Sequence, residues 1–357
     1  MAVTPTVLDK VRVESFFAKM VEDTAAAFSG GLRYLGDRLG IYRCMAAAGP
    51  ATLQELAGQT GLQERYLKEW LGAMVAGGVV EYDPATGQYT LPPEHAAVLA
   101  DEESPYFLGA WCQMLVPVVT VAPRVAECFH QGGGVSQSEY SMEMYESMER
   151  ESMPRYKHLL VQQWLPTMPD VVTKLSAGGR ALDVGCGCGL ASIALARAFP
   201  RSVFYGIDMH AESIERARAN ANEAGLADRV YFDIKDAVGL EEAGFDFITT
   251  FDVVHDSPDP QALLVAICRA LAPGGTYLML EMNASGKPEE NISAYGELLY
   301  SISTLYCMTT SLALGGAGLG ACLGEEKARE LAEKAGFSRF RKLPVADPFS
   351  VLYELKR

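Results

Sequence analysis

The run ALDVGCGCGL, residues 181–190, sets Gly185, Gly187 and Gly189 at alternate positions after a short apolar stretch that carries Asp183. Bare backbone at such a turn lets a ligand approach closely, and amides at the start of the following helix, ASIALARAF, can receive an anionic group. An acid closes the next run, YGIDMH, and another closes DIKDA. Asp208 in the first is placed to accept from both hydroxyls of a ribose, and Asp236 in the second from an adenine amino group. Dinucleotide enzymes also hold the ribose with an acid, but their G-x-G-x-x-G turn needs a glycine where Leu190 stands. A fourth run ends FDVVHDSPDP, so His255 and Asp256 fall on the sheet edge where ligands bind in open α/β folds. A neutral imidazole near pH 7 is suited to accepting a proton there.

From about residue 175 onward strands and helices alternate, the pattern of a parallel α/β sheet. Strands are expected at 180–184, 202–208, 229–235, 245–251, 276–282, 337–343 and 349–355. Pro260 starts a helix that Gly274-Gly275 is expected to end. The last two strands are joined by too few residues for a crossover helix, so they must pair antiparallel. Ahead of this half, residues 33–93 have the order of a winged helix-turn-helix. A helix over 33–48 is followed by one opened by a Thr52/Glu55 capping box, then a third after Gly61 and a hairpin around Asp83-Pro84 and Gly87. Before it, residues 11–28 space Val13, Phe16, Phe17, Met20, Val21 and Phe28 along one face of a helix. Residues 94–165 read as a helical connector.

Residues 170–357 resemble the class I S-adenosylmethionine-dependent methyltransferases. The resemblance rests on LDVGCGCG, GIDMH, DIKDA, FDVVHDSPD and LAPGGTYLMLE in that order. It implies a Rossmann-like, seven-stranded sheet with an antiparallel terminal hairpin, behind an α-rich winged-helix domain. Carried over by position, Asp183, Gly185 and Gly187 would line the methionine part of S-adenosyl-L-methionine and Asp208 would hold its ribose. Met209 would pack on the adenine, Asp236 with Ala237 would flank its edge, and Phe251 would close the site. That ligand has no pyrophosphate, so the turn need admit only an amino acid and a ribose. Small-molecule O-methyltransferases that carry a winged-helix dimerisation domain have a similar His-Asp pair, in which the histidine is the general base. The resemblance therefore gives His255 the role of deprotonating an acceptor hydroxyl, with Asp256 orienting it or contacting the cofactor. A Trp follows the pair in the plant enzymes, whereas Ser257-Pro258 follows it here. A structural His255 is the alternative, because N-, S- and many C-methylations proceed by in-line positioning alone. Plain packing is likewise the alternative for Met209 and for the glycines, and helix capping for Asp208.

Two charge-free stretches, 104–123 and 298–324, carry too many prolines and glycines to face lipid as helices and are expected as buried helices or pocket walls. Trp111, Tyr145, Tyr300 and Tyr306 are the expected lining for a small, largely apolar or aromatic methyl acceptor. With a net charge of −15 the chain is not a general nucleic-acid or anionic-membrane binder. The winged-helix stretch raises a rival, a transcriptional regulator that senses the cofactor. Its basic residues Arg33, Arg38, Arg43, Arg65 and Lys68 are outnumbered by acids, and its wing has none, so dimerisation of two copies is the expected task. A third reading, an NAD-dependent oxidoreductase, is opposed by the glycine spacing and the terminal hairpin. No metal is expected: Cys186-x-Cys188 is too tight for a zinc knuckle and has no second pair. Eight cysteines and no apolar leader fit reduced thiols in the cytoplasm. The expected domains are 1–95 for dimerisation, 96–170 as connector and substrate cover, and 171–357 for cofactor binding.

Overall fold

A computed structural model describes residues 8–357, which divide into two compact units at 116/117. The first opens with a long helix, Lys10–Arg38, whose N-cap Asp9 accepts from the amides of Val11 and Arg12. The expected helix over 33–48 is in fact two. Its first part continues this long helix, and Gly40, in the left-handed region at φ 69°, breaks the chain before Ile41–Ala48. Helices Leu53–Thr60 and Glu64–Ala76 follow, the first carrying the Thr52/Glu55 capping box in full. A small sheet of order β1-β3-β2 completes the unit, with β1 at Ala51–Thr52 and the wing hairpin formed by β2, Glu81–Asp83, and β3, Gln88–Thr90. Its core is Tyr42, Met45, Leu56, Trp70 and Leu71, and the Trp70 indole donates to the Leu32 carbonyl at 2.7 Å. All of residues 8–28 are exposed and take no part in that core, with Phe16, Phe17 and Phe28 63%, 69% and 80% exposed.

The second unit is built on a seven-stranded sheet of order β6-β5-β4-β7-β8-β10-β9. Its strands are β4 (Arg180–Val184), β5 (Val203–Asp208), β6 (Val230–Ile234), β7 (Phe245–Phe251), β8 (Leu271–Met282), β9 (Arg339–Lys342) and β10 (Ser350–Lys356). The first five pair parallel, while β10 pairs antiparallel with both β8 and β9. Side chains alternate between two apolar layers. Phe247 and Leu278 face one, packed with helix Leu190–Ala198, and Ile248 and Tyr277 face the other, packed with helix Pro260–Ala270. Gly274-Gly275 do not end that helix, which stops at Ala270. They lie within β8, where the pairing with β7 shifts between Phe245 and Phe247, and a Cβ on Gly275 would stand 2.8 Å from the Phe245 carbonyl oxygen.

The charge-free stretches are broken. The division between units falls in helix Gly109–Val119, which contains Pro117. Residues 298–324 run through helix Ala294–Ile302, a wide turn at Ser303–Cys307, helix Met308–Ala313 and a glycine-rich segment. Among the described residues no single helix is long and apolar enough to cross a membrane.

Candidate active site

Parallel pairing brings the carboxyl ends of β4, β5, β7 and β8 to one edge of the sheet. Directly after β4 the chain turns through three glycines of positive φ. They are not equivalent. A Cβ on Gly185 would lie 2.6 Å from Val253, and one on Gly189 would lie 2.4 Å from the Phe232 ring, so packing excludes side chains at both. Gly187 has nothing within 4 Å of its Cβ position and opens onto free space. Its amide donates to Asp208 Oδ2 at 2.9 Å, and Asp208 Oδ1 accepts from the His210 amide at 2.9 Å. Each Asp208 oxygen keeps a lone pair for a further donor.

Asp183 is buried and accepts from the hydroxyls of Thr249 at 2.7 Å and Ser192 at 3.3 Å. Burial pushes its pKa up to about 7, partly offset by those two hydroxyls. Met209 is 56% exposed, and Asp236 is exposed at the mouth, its Oδ1 capping the Ala237–Gly239 turn through the Val238 amide. Helix Met142–Arg155 covers this half. Tyr145 stacks on the His210 ring at 4.4 Å, and Glu149 binds Arg216 and Asn220, whose amide also reaches the Cys188 carbonyl.

The other half of the edge is closed by side chains. Phe251 is buried in an aromatic group with Tyr156 and Trp164. Asp252 sits at φ 58°, unusual for a residue with a side chain, and pairs with Arg155 at 3.2 Å, which also binds Glu151 at 2.8 Å. His255 is buried between two acids: Nδ1 lies 2.5 Å from Glu281 Oε2 on β8, and Nε2 lies 3.1 Å from Asp256 Oδ1. Glu281 Oε1 also accepts from the Val254 amide at 3.1 Å, fixing the turn that carries the imidazole. Burial works against the charged ring, yet Asp256 and Glu281 outweigh it and raise the His255 pKa well above the imidazole range. Tyr306 is buried edge-on to Tyr140 at 5.0 Å, and the next residue, Cys307, is buried beside His255.

Of the expected residues, the second unit gathers Asp183, Gly185, Gly187, Asp208, Met209, Asp236, Ala237, Phe251, His255, Asp256, Tyr145 and Tyr306 around this edge. Tyr300 is 39% exposed, and its hydroxyl accepts from Asn291 at 3.0 Å. Trp111 belongs to the first unit. Sequence reasoning missed Glu281, Arg155, Tyr156 and Cys307. Glu281 had a signal, an acid closing a strand as Asp208 does. The other three come from helical segments with no pattern that sets them apart.

The turn and its acids fit an adenosyl ligand: open backbone at Gly187 and free acceptor capacity on Asp208. Comparison with known proteins agrees. A family described as "Methyltransferase domain" matches residues 175–336, and one described as "Rv2258c-like winged HTH domain" matches residues 29–101. A ubiquinone biosynthesis O-methyltransferase of Klebsiella pneumoniae is 32% identical over 111 residues, 31% of this chain and 45% of that protein. The chain thus spans less than half the length of that relative. The mitomycin 7-O-methyltransferase structure is 19% identical with a TM-score of 0.72, covering 97% of this chain and 100% of its own. Human N-acetylserotonin methyltransferase, solved with S-adenosylmethionine, is 16% identical with a TM-score of 0.68, covering 99% of each chain. These two share the fold. Residues 175–336 therefore match the methyltransferase-domain family and carry the class I fold, and they follow a stretch that matches a winged helix-turn-helix domain.

Proposed function

We propose that the protein transfers a methyl group from S-adenosyl-L-methionine to a hydroxyl of a small, largely apolar or aromatic acceptor. The observation that carries this reading is one edge with two halves: an open, acid-bordered turn beside a buried imidazole held by two carboxylates. The cofactor supplies an electrophilic methyl on a positively charged sulfur. Asp183 and the Gly185 and Gly187 backbone receive its amino-acid end, and Asp208 accepts from the ribose hydroxyls. Met209, Asp236 and Ala237 border the adenine, and Phe251 shapes the floor between the halves. Glu281 holds Nδ1–H of His255, which leaves Nε2 to take the acceptor proton once the ring is neutral. Asp256 steadies the imidazolium that results. Tyr145 and Tyr306 supply apolar lining, and Tyr300 is the candidate for its outer wall. O-transfer is favoured by the proton-accepting site and by the relatives' names. The test is calorimetric titration with S-adenosylmethionine, S-adenosylhomocysteine, NAD and random duplex DNA, followed by labelled methyl transfer to a panel of phenols. Binding of the first two alone is expected. Binding of DNA would favour a regulator, and binding of NAD alone would overturn the reading.

The long helix of the first unit is the proposed dimer surface. Its exposed Val13, Phe16, Phe17, Met20, Val21 and Phe28 share one helical face, and the unit's excess of acids leaves protein rather than nucleic acid as the partner. Sedimentation should give twice the chain mass, and a Phe16→Glu/Phe17→Glu variant should give one. All eight cysteines are unpaired, in keeping with a cytoplasmic enzyme.

A further inference from the structure

We propose that His255, Asp256 and Cys307 form a binding site for a single zinc-class divalent cation. The three bring an imidazole nitrogen, a carboxylate oxygen and a sulfur within 4.8 Å of one another, although Cys307 is far from the other two in sequence. This is the donor mix that zinc prefers, and three protein ligands leave a fourth position for water or substrate. Magnesium and calcium, which want oxygen ligands, are poorly served by it.

Two further observations point to a cation rather than to chance proximity. Asp256 Oδ1 is buried and lies 3.1 Å from His255 Nε2. An acceptor is therefore aimed at the ring nitrogen that would ligate. The other nitrogen, Nδ1, lies 2.5 Å from the buried carboxylate of Glu281, which is itself tied to the Val254 amide. A carboxylate behind the far nitrogen is the usual support of a zinc-bound histidine, because it fixes the ring and makes the ligating nitrogen more basic. Burial of His255 and Cys307 supplies the dry surroundings in which a metal–thiolate bond persists. On binding, the Cys307 thiol proton leaves to solvent and the sulfur becomes a thiolate ligand.

Occupancy engages the Nε2 lone pair, so a bound cation and proton acceptance by His255 exclude each other. That consequence rests on the reading of His255 given above, whereas the site itself does not. The experiment therefore measures metal and not turnover. Metal-stripped, untagged full-length protein is titrated with zinc chloride by calorimetry, and the zinc-loaded protein is examined by X-ray absorption. One site of micromolar or tighter affinity is expected, with one sulfur and otherwise nitrogen and oxygen neighbours. Cys307→Ser should weaken it at least about tenfold, Cys44→Ser should leave it unchanged, and magnesium chloride should not compete. A circular-dichroism melt of each variant establishes that it is folded. Absence of a site, a zinc shell without sulfur, or unaltered affinity in folded Cys307→Ser would overturn the proposal.

Discussion

The 185–189 turn after β4 and the 252–257 loop after β7 lie on the same sheet edge but hold their polar groups in different ways. At the turn, backbone makes the shape. Gly187 faces open space, Asp208 retains acceptor capacity, and Met209 and Asp236 reach solvent. At the loop, side chains make the shape. His255 is locked between Glu281 and Asp256, and Asp252 is paired with Arg155. One half is a mould that a ligand can enter with little rearrangement. The other is a preset charge network whose protonation decides what it does, and it would suffer most from losing a partner.

The strongest test of the contrast is His255→Ala. Turnover should fall about 100- to 10,000-fold, the range for removal of a general base, while S-adenosylmethionine affinity stays near normal. In the parent protein, turnover should climb with pH on the alkaline side of the usual imidazole range, since the two flanking acids keep the ring charged until then. Unchanged turnover in the alanine variant would leave positioning alone as the mechanism. Next in size is Asp208→Ala, which should weaken the cofactor by about 10- to 100-fold, as expected for hydrogen bonds to a charged group. It should spare the network after β7, and titration calorimetry reads it directly.

The third test is pH. Burial keeps Asp183 protonated up to about 7. The unfolded chain releases that proton earlier, so ligand-free protein should lose stability as pH rises from the ordinary carboxylate range to about 7. A cationic ligand prefers the ionised carboxylate, so affinity should increase by about three- to tenfold between pH 6 and pH 8. Asp183→Asn should flatten the slope. The smallest effect is Gly187→Ala, whose methyl meets no neighbour. Only its positive φ should cost stability, about 1–2 kcal/mol. Gly189→Ala, driven into Phe232, should lower the melting temperature much further.

The same contrast explains what could be read from the amino-acid order. All seven strands of the large sheet and the antiparallel end came through, because apolar runs ending in acids or glycines are local signals. The capping box at Thr52 did so for the same reason. Boundaries failed where one glycine decided between two local structures. Gly40 breaks a helix expected to be continuous, and Gly274-Gly275 shape a strand where a helix end was expected. The turn after β4 was legible for the reason the strands were. The acid network was not, since Arg155 and Cys307 reach His255 and Asp252 only through folding of distant helices. That Gly185 and Gly189 answer to packing while Gly187 answers to open space is invisible in a motif that spells all three alike.

The placement of β10 bears on how the second unit is made. Residues 350–356 form an interior strand, bonded on one side to β8 and on the other to β9. A ribosome delivers them after every other strand. Until they arrive, β8 presents an unpaired edge and β9 has no neighbour, so the sheet is completed late in synthesis and cannot be assembled strand by strand as the chain emerges.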